Sequence, residues 1–205
     1  MFSLYLITDG AQPAPQLTAA VAGALRGASA GRVAVQLRAK QLSAGALHDL
    51  ALPLLQLCRE HGVPLLINDR VDVALAVGAD GVHLPEQALP LTAARRLLGE
   101  RAWIGVSCHD ARGLAAAHGG GASFATLSPV FDSPGKGPAL GLPRFAELVG
   151  AAALPVLALG GVSASEAAAL RRSGAAGIAL ISAVFGAADP GAAVRDLLAA
   201  WDAEH

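Results

Sequence analysis

Short runs of apolar residues alternate along this chain with longer stretches in which apolar residues return every three or four positions, and the alternation recurs eight times. The runs span Leu4 to Thr8, Arg32 to Arg38, Pro64 to Asn68, Gly81 to Leu84, Trp103 to Ser107, Phe124 to Leu127, Val156 to Leu159 and Gly177 to Ile181. Apolar at nearly every position, they read as strands of a sheet buried on both faces. Between them, Leu47, Leu50, Ala51, Leu54, Leu55 and Cys58 recur at helical spacing. Val194, Leu197, Leu198 and Trp201 do the same near the end, with Arg195, Asp196 and Asp202 on the other face. Ser163-Ala164-Ser165-Glu166 reads as a capping box, Asp189-Pro190 as an N-cap before a first-turn proline, and Gly119-Gly120-Gly121 as a helix-to-strand turn.

Strict alternation of strand and helix forces parallel pairing through right-handed crossovers. Eight repeats predict a closed (β/α)8 TIM barrel that takes up residues 1–205 as one domain. An open doubly wound sheet shares the alternation, but its dinucleotide-binding form wants G-x-G-x-x-G after the first strand. Asp9-Gly10-Ala11-Gln12 does not supply it.

Composition changes this picture little. Hydrophobic residues make up 54% of the 205 and charged residues 15%, and mean hydropathy is +0.50. No apolar run approaches the ~20 residues of a membrane span, and much of the apolar content is alanine, a strong helix former. A net charge of −1 with no basic stripe gives a nucleic-acid partner no electrostatic footprint. The N-terminus reads as a strand and not as a signal peptide, which leads us to expect a cytoplasmic protein. Two cysteines, Cys58 and Cys108, make no disulfide framework, and Cys58 reads as a packing residue.

The chemistry-bearing residues gather where the strands end. Gln36, Arg38 and Lys40 occupy alternating positions, so their side chains project to one side, into the barrel mouth. They read either as a cradle for an anion such as a diphosphate, with an Arg fork and a Lys point charge, or as a strand end held by surface salt bridges. Asn68-Asp69 closes the third strand. Asp69 is either a ligand for a hard cation such as Mg²⁺ or the cap of a short helix from Arg70. The Gly- and Pro-rich connection from Ser128 to about Gly141, with Ser133 and Lys136, has the length of a lid over an anionic group; the alternative is a merely solvated loop. Gly160-Gly161 and Ile181-Ser182-Ala183 follow the seventh and eighth strands, where barrels often bind phosphate, although such glycines also serve tight turns. His83 reads as a hydrogen-bonded barrel residue, and neither it nor Ser107 with His109 completes a nucleophile triad or a zinc site.

Taken in order, the segments Tyr5-Leu6-Ile7-Thr8-Asp9, Gln36-Leu37-Arg38-Ala39-Lys40, Ile67-Asn68-Asp69-Arg70-Val71-Asp72, Ala79-Asp80-Gly81-Val82-His83-Leu84, Ile104-Gly105-Val106-Ser107-Cys108-His109, Ser128-Pro129-Val130-Phe131 with Lys136, Ala158-Leu159-Gly160-Gly161-Val162 and Gly177-Ile178-Ala179 resemble the thiamine phosphate synthase family, which also contains thiazole tautomerases. The resemblance implies an enzyme that joins a hydroxymethylpyrimidine diphosphate to a thiazole phosphate and releases pyrophosphate. It puts Gln36, Arg38, Lys40, Asn68, Ser107 and Lys136 on the pyrimidine diphosphate, with Mg²⁺ on Asp69. Gly160, Gly161, Ile181 and Ser182 fall on the thiazole phosphate, and His83, His109, Ser128 and Ser133 among the substrate-binding positions. The implied partners are small phosphorylated molecules and, at most, further copies of the chain.

The chain departs from the family pattern at the expected second metal-binding Asp, which falls at Ala88, and at two threonines of the phosphate loop, replaced by Ser133 and Gly135. Either Glu86 or Asp132 takes the place of the missing acid, or the Mg²⁺-dependent synthase activity is lost. A tautomerase of thiazole phosphate carboxylate needs no metal but a general acid/base, and the histidine of that branch falls at Ser128. Three cations, Arg38, Lys40 and Lys136, exceed the needs of one thiazole phosphate. They favour the synthase over the tautomerase; a third reading is a non-catalytic thiazole phosphate binding protein, in which mutating Asp69 or Lys136 would alter affinity without abolishing a reaction.

Overall fold

Each apolar run forms a strand, and each strand bonds in parallel to the next in sequence. In the computed structural model, which describes residues 1–10 and 12–203, the strands are β1 (Leu4–Ile7), β2 (Val33–Leu37), β3 (Leu65–Asn68), β4 (Gly81–Leu84), β5 (Trp103–Cys108), β6 (Phe124–Leu127), β7 (Val156–Leu159) and β8 (Gly177–Leu180). β8 pairs with β1 through Leu4–Ile178, Tyr5–Ala179 and Leu6–Leu180, and closes the (β/α)8 barrel. The alternating helices are α1 (Ala14–Leu25), α2 (Ala44–Glu60), α3 (Val71–Val77), α4 (Leu91–Leu98), α5 (Ala111–Gly119), α6 (Gly141–Gly150) and α7 (Ala164–Arg172). After β8 come a short α8 (Ser182–Phe185) and then α9 (Pro190–Asp202).

The small differences from the expected strand ends have a local cause. β1 and β2 stop short of Thr8 and Arg38 because the Arg38 N–H donates to the Thr8 side-chain oxygen (2.9 Å) and not to a backbone carbonyl. A side chain takes over from the ladder at that point. β5 instead runs one residue further, since Ser107 and Cys108 stay in register with Thr126 and Leu127 of β6. The capping box at Ser163 and Glu166 forms as read, and Asp189 accepts from the Ala192 N–H at the start of α9. Of the expected glycine turn, Gly119 closes α5 and only Gly120 and Gly121 lie beyond it.

Because strand side chains alternate between faces, the chain builds two cores. Leu4, Leu6, Val33, Val35, Leu65, Ile67, Val82 and Ile104 face the helices and join the buried residues of α1, α2, α7 and α9. Cys58 lies in that core, fully buried as expected. The inward set is Phe2, Tyr5, Ile7, Ala34, Leu66, Phe124, Leu157 and Ala179, with Trp103, Leu159 and Ile181 packed on it. Its rings interlock: Phe2 lies 5.4 Å from Tyr5 and 5.2 Å from Phe124, and Tyr5 lies 5.3 Å from Phe124. The two pairs with Phe124 are edge-on, and such pairs contribute roughly 0.5–1.5 kcal/mol each beyond area burial. They fill the barrel from the N-terminal side, so the open end is the one to which the C-terminal strand ends point.

Gly105 makes the ring stack fit. A methyl group at this position would collide with the Phe124 ring and come within 2.6 Å of His83 Nδ1, both of them buried. We expect Gly105→Ala to lower folding stability by about 1–3 kcal/mol through overpacking, read as a reduced urea midpoint at unchanged slope.

Candidate active site

A cavity of about 440 Å³ opens at the C-terminal ends of the strands. β2 and its following loop contribute Gln36, Arg38 and Lys40, β3 contributes Asn68, β4 contributes His83, and β5 with the residue after it contributes Ser107 and His109. The β6–α6 connection supplies Ser128, Asp132, Ser133 and Lys136, and the far wall is Gly160, Gly161, Ile181 and Ser182. All the sequence-selected substrate positions therefore line one cavity. Asp69 stands apart, in a neighbouring cavity of about 270 Å³ with Lys40, Asn68, Arg70 and Pro85.

Asp69 adopts φ 65°, a left-handed conformation that Asp and Asn tolerate better than most residues. Its N–H donates to the His83 carbonyl (2.9 Å), and α3 begins after Arg70 with no side-chain cap. The reading of Asp69 as a helix cap is thereby corrected: Arg70 holds the N-cap position, and no side chain caps α3.

The salt-bridge alternative for the β2 end finds no ion pair to support it among the described residues. Ion pairs among the described residues join Arg32 to Asp202, His48 to Asp49, Arg70 to Asp72 and Arg144 to Glu147; none includes Arg38, Lys40 or Lys136. The backbone beneath these cations is held firmly. Thr8, fully buried, hydrogen-bonds both the N–H and the carbonyl of Arg38, and the Gln41 side-chain amide donates to the Gly10 carbonyl. Sequence reading assigned Thr8 no role, and it missed Tyr5 as well. The Tyr5 hydroxyl accepts a hydrogen bond from Gln36 Nε2 (3.0 Å), which orients that amide in the cavity wall. The signal was present as an inward-facing Tyr one strand away from an inward-facing Gln, but only the β1–β2 register brings the two together.

The connection from Ser128 is not simply a solvated loop. Val130 N–H donates to the Leu159 carbonyl and Phe131 N–H to the Gly160 carbonyl, each at 3.0 Å, while the Leu140 and Gly141 amides return to Pro129 and Val130. The His109 ring nitrogen Nδ1 lies 2.7 Å from the Ser128 carbonyl and donates to it. Gly160 and Gly161 have φ +95° and +64°, and side chains there would strike Pro129 and the Asp132 carbonyl. The glycine pair is at once a tight turn and the bed on which the lysine-bearing loop rests.

His83 is 3% exposed; its Nε2 lies 3.0 Å from Ser107 Oγ, and burial pushes its pKa down from 6.5 to about 3. Burial likewise pushes the Cys108 thiol up to about 11, so it is a packing group and not a nucleophile.

These positions run along the whole barrel, and so do the relationships of the chain. The family model described as thiamine monophosphate synthase matches residues 4–184. The chain belongs to the thiamine monophosphate synthase family. A thiamine-phosphate synthase from Roseiflexus sp. is 42% identical over 198 residues, covering 95% of this chain and 83% of that protein. The thiamine-phosphate synthase of Laribacter hongkongensis is 42% identical over 205 residues, covering 97% and 94%. Among solved structures, the thiamine phosphate pyrophosphorylase of Pyrococcus furiosus superposes with a TM-score of 0.85 at 31% identity, covering 98% of this chain and 96% of the other. A 3-hexulose-6-phosphate synthase, at 19% identity and TM-score 0.73, shares the fold alone.

The synthase family resemblance implies Mg²⁺, an ion that takes oxygen ligands in octahedral geometry, usually one or two carboxylates with water and phosphate oxygens completing the shell. Among the described residues no group of three or more His, Cys, Asp or Glu could cage a metal. Ala88 lies in a separate cleft with Leu91, Arg112 and Ala116. Glu86 and Asp132 both line the main cavity, and Pro85 lines it together with the cavity of Asp69. This donor set suits an ion shared with a substrate diphosphate, not a resident all-protein site.

The buried imidazole predicts a pH dependence of stability. Unfolded, the His83 ring takes up a proton below about pH 6.5; folded, it does so only near 3. The unfolded state therefore binds more protons in that window, and stability falls as pH drops from about 6.5 towards 3. Urea denaturation between pH 4 and 7 should show this slope, and His83→Gln should flatten it.

Proposed function

We propose that the cavity holds a hydroxymethylpyrimidine diphosphate beside a thiazole phosphate and joins them into thiamine phosphate with release of pyrophosphate. The observation that carries this reading is the set of three cations, Arg38, Lys40 and Lys136, that line one cavity and belong to none of the ion pairs among the described residues. Cations gathered in one concavity are favoured by an anion of several charges. The family gives the reaction its chemistry.

In this reading the C–O bond between the pyrimidine methylene and the diphosphate breaks, and its electron pair stays with the diphosphate. The ring nitrogen of the thiazole supplies the lone pair of the new C–N bond, so no protein nucleophile is required. Negative charge grows on the departing pyrophosphate, where preplaced cations are most effective because they need no reorganisation as the charge appears. Arg38 offers a two-pronged donor, and Lys40 and Lys136 act as point charges from either side. Gln36, oriented by Tyr5, and Asn68 position the pyrimidine end. Gly160, Gly161, Ile181 and Ser182 form the phosphate seat for the thiazole, where backbone amides can approach closely. Asp69, with Glu86 in place of the missing acid at Ala88, would hold a Mg²⁺ ion that neutralises diphosphate charge. His109 and Ser128, bonded to one another, and Ser133 complete the wall between the two half-sites.

The substrates are charged phosphate esters, and a one-domain cytoplasmic enzyme suits them. No helix among the described residues is long and apolar enough to cross a membrane. No observation favours the tautomerase alternative, for which three cations are in excess.

The experiment is pyrophosphate release from the two substrates, with Mg²⁺ or with EDTA. Release should depend on Mg²⁺, and Lys136→Ala should lower kcat roughly 10²-fold. Thiazole phosphate binding without any pyrophosphate release would overturn the synthase reading. In the same assay Asp69→Asn and Glu86→Gln should each raise the Mg²⁺ concentration needed for half-maximal rate. Asp132→Asn, in comparison, should leave that concentration near the wild-type value.

A further inference from the structure

Two buried side-chain atoms among the described residues lack a hydrogen-bond partner, His83 Nδ1 and Thr126 Oγ1, and the first of them determines what the neighbouring serine can do. His83 stands opposite Gly105 in the β4–β5 register, and Ser107 is the next inward position on β5. Nε2 of the ring is 3.0 Å from Ser107 Oγ. Nδ1 faces the Gly105 backbone so closely that a Cβ there would be 2.6 Å away, and the Tyr5 and Phe124 rings lie at centroid distances of 5.6 and 5.9 Å. Among the described residues no group hydrogen-bonds Nδ1.

A neutral imidazole has one N–H, and its place has consequences for Ser107. With the proton on Nδ1, an N–H would be buried with no acceptor, and Nε2 would consume the serine hydrogen. With the proton on Nε2, only a lone pair is left unfilled at Nδ1, which is the less costly vacancy, since orphaned buried N–H groups are the rarer kind. We infer that His83 donates from Nε2 to Ser107 Oγ, so that the Ser107 hydroxyl hydrogen is reserved for an acceptor oxygen of the anionic substrate in the cavity. No other side chain among the described residues bonds Ser107 Oγ. His83 is then a positioning residue that acts through Ser107. It exchanges no proton with substrate, consistent with a ring that burial keeps neutral throughout the neutral pH range. A hydroxyl donor so directed strengthens as charge gathers on the leaving diphosphate, and its loss should fall on kcat more than on KM.

The assignment of the acceptor rests on the synthase reading; the direction of the His83–Ser107 bond does not, and the two are tested separately. Long-range ¹H–¹⁵N correlation on histidine-labelled protein at pH 7 should give His83 the Nε2-protonated pattern. An Nδ1-protonated pattern overturns the inference whatever the activity. In the pyrophosphate-release assay, Ser107→Ala and His83→Leu should each lower kcat roughly tenfold with little change in KM. His83→Gln, which can offer an amide N–H at a comparable reach, should recover most of the loss. The double variant His83→Leu/Ser107→Ala should be no slower than Ser107→Ala. Multiplying losses in the double variant, or His83→Gln as slow as His83→Leu while still folded by circular dichroism, would overturn the positioning role. A wild-type protein that releases no pyrophosphate would instead sink the synthase reading and leave the tautomer measurement standing.

Discussion

The hydrogen bonds that join β8 to β1 are the constraint on which everything else here depends. A parallel sheet of eight short strands left open would present two unpaired edges and could scatter its strand ends along a line. Closure removes both edges and bends the line into a ring, so that residues far apart in sequence become neighbours across one mouth. Gln36 and Ile181, or Asn68 and Gly161, share a cavity for this reason alone. The period-2 alternation then decides which residues face the ring's interior, and a single-residue slip in any strand would exchange its inner and outer sets.

The interior so formed is graded along its axis. Interlocked rings of Phe2, Tyr5 and Phe124 occupy the lower part; a thin polar layer of Gln36, His83, Ser107 and Thr126 follows; cations and backbone amides ring the mouth. Each layer supports the one above. Tyr5 belongs to the apolar stack and yet orients Gln36, and the packing that fixes the His83 ring also fixes its bond to Ser107. The polar groups are set before any ligand arrives, which is the condition under which electrostatic stabilisation costs least.

Much of this was legible in the residues. The barrel could be read because strand and helix have different hydrophobic periods and because a buried parallel sheet leaves few alternatives to alternating α/β topology. The cavity wall could be read because functional side chains in such a barrel collect at strand ends, and Arg38, Lys40, Lys136, Gly160 and Ser182 all meet there. What stayed hidden depends on register or on individual backbone angles. The Tyr5–Gln36, Thr8–Arg38 and His83–Ser107 bonds each cross between strands whose relative offset no local pattern specifies. Asp69 read equally well as ligand or cap until its left-handed φ sent it into a side cavity. The long connection from Ser128 looked free because nothing in its composition announces four backbone hydrogen bonds at its two ends.

One of those attachments has a consequence for how the site can change. The loop that carries Lys136 rests its backbone directly on Gly160 and Gly161, with no side chain between them to act as a cushion. The two proposed half-sites, one for each substrate, thus share a single seam. A larger residue on either side of it would have to re-lay the other side in the same step, so substrate preference at the two ends of the cavity is inherited as one trait and cannot drift independently.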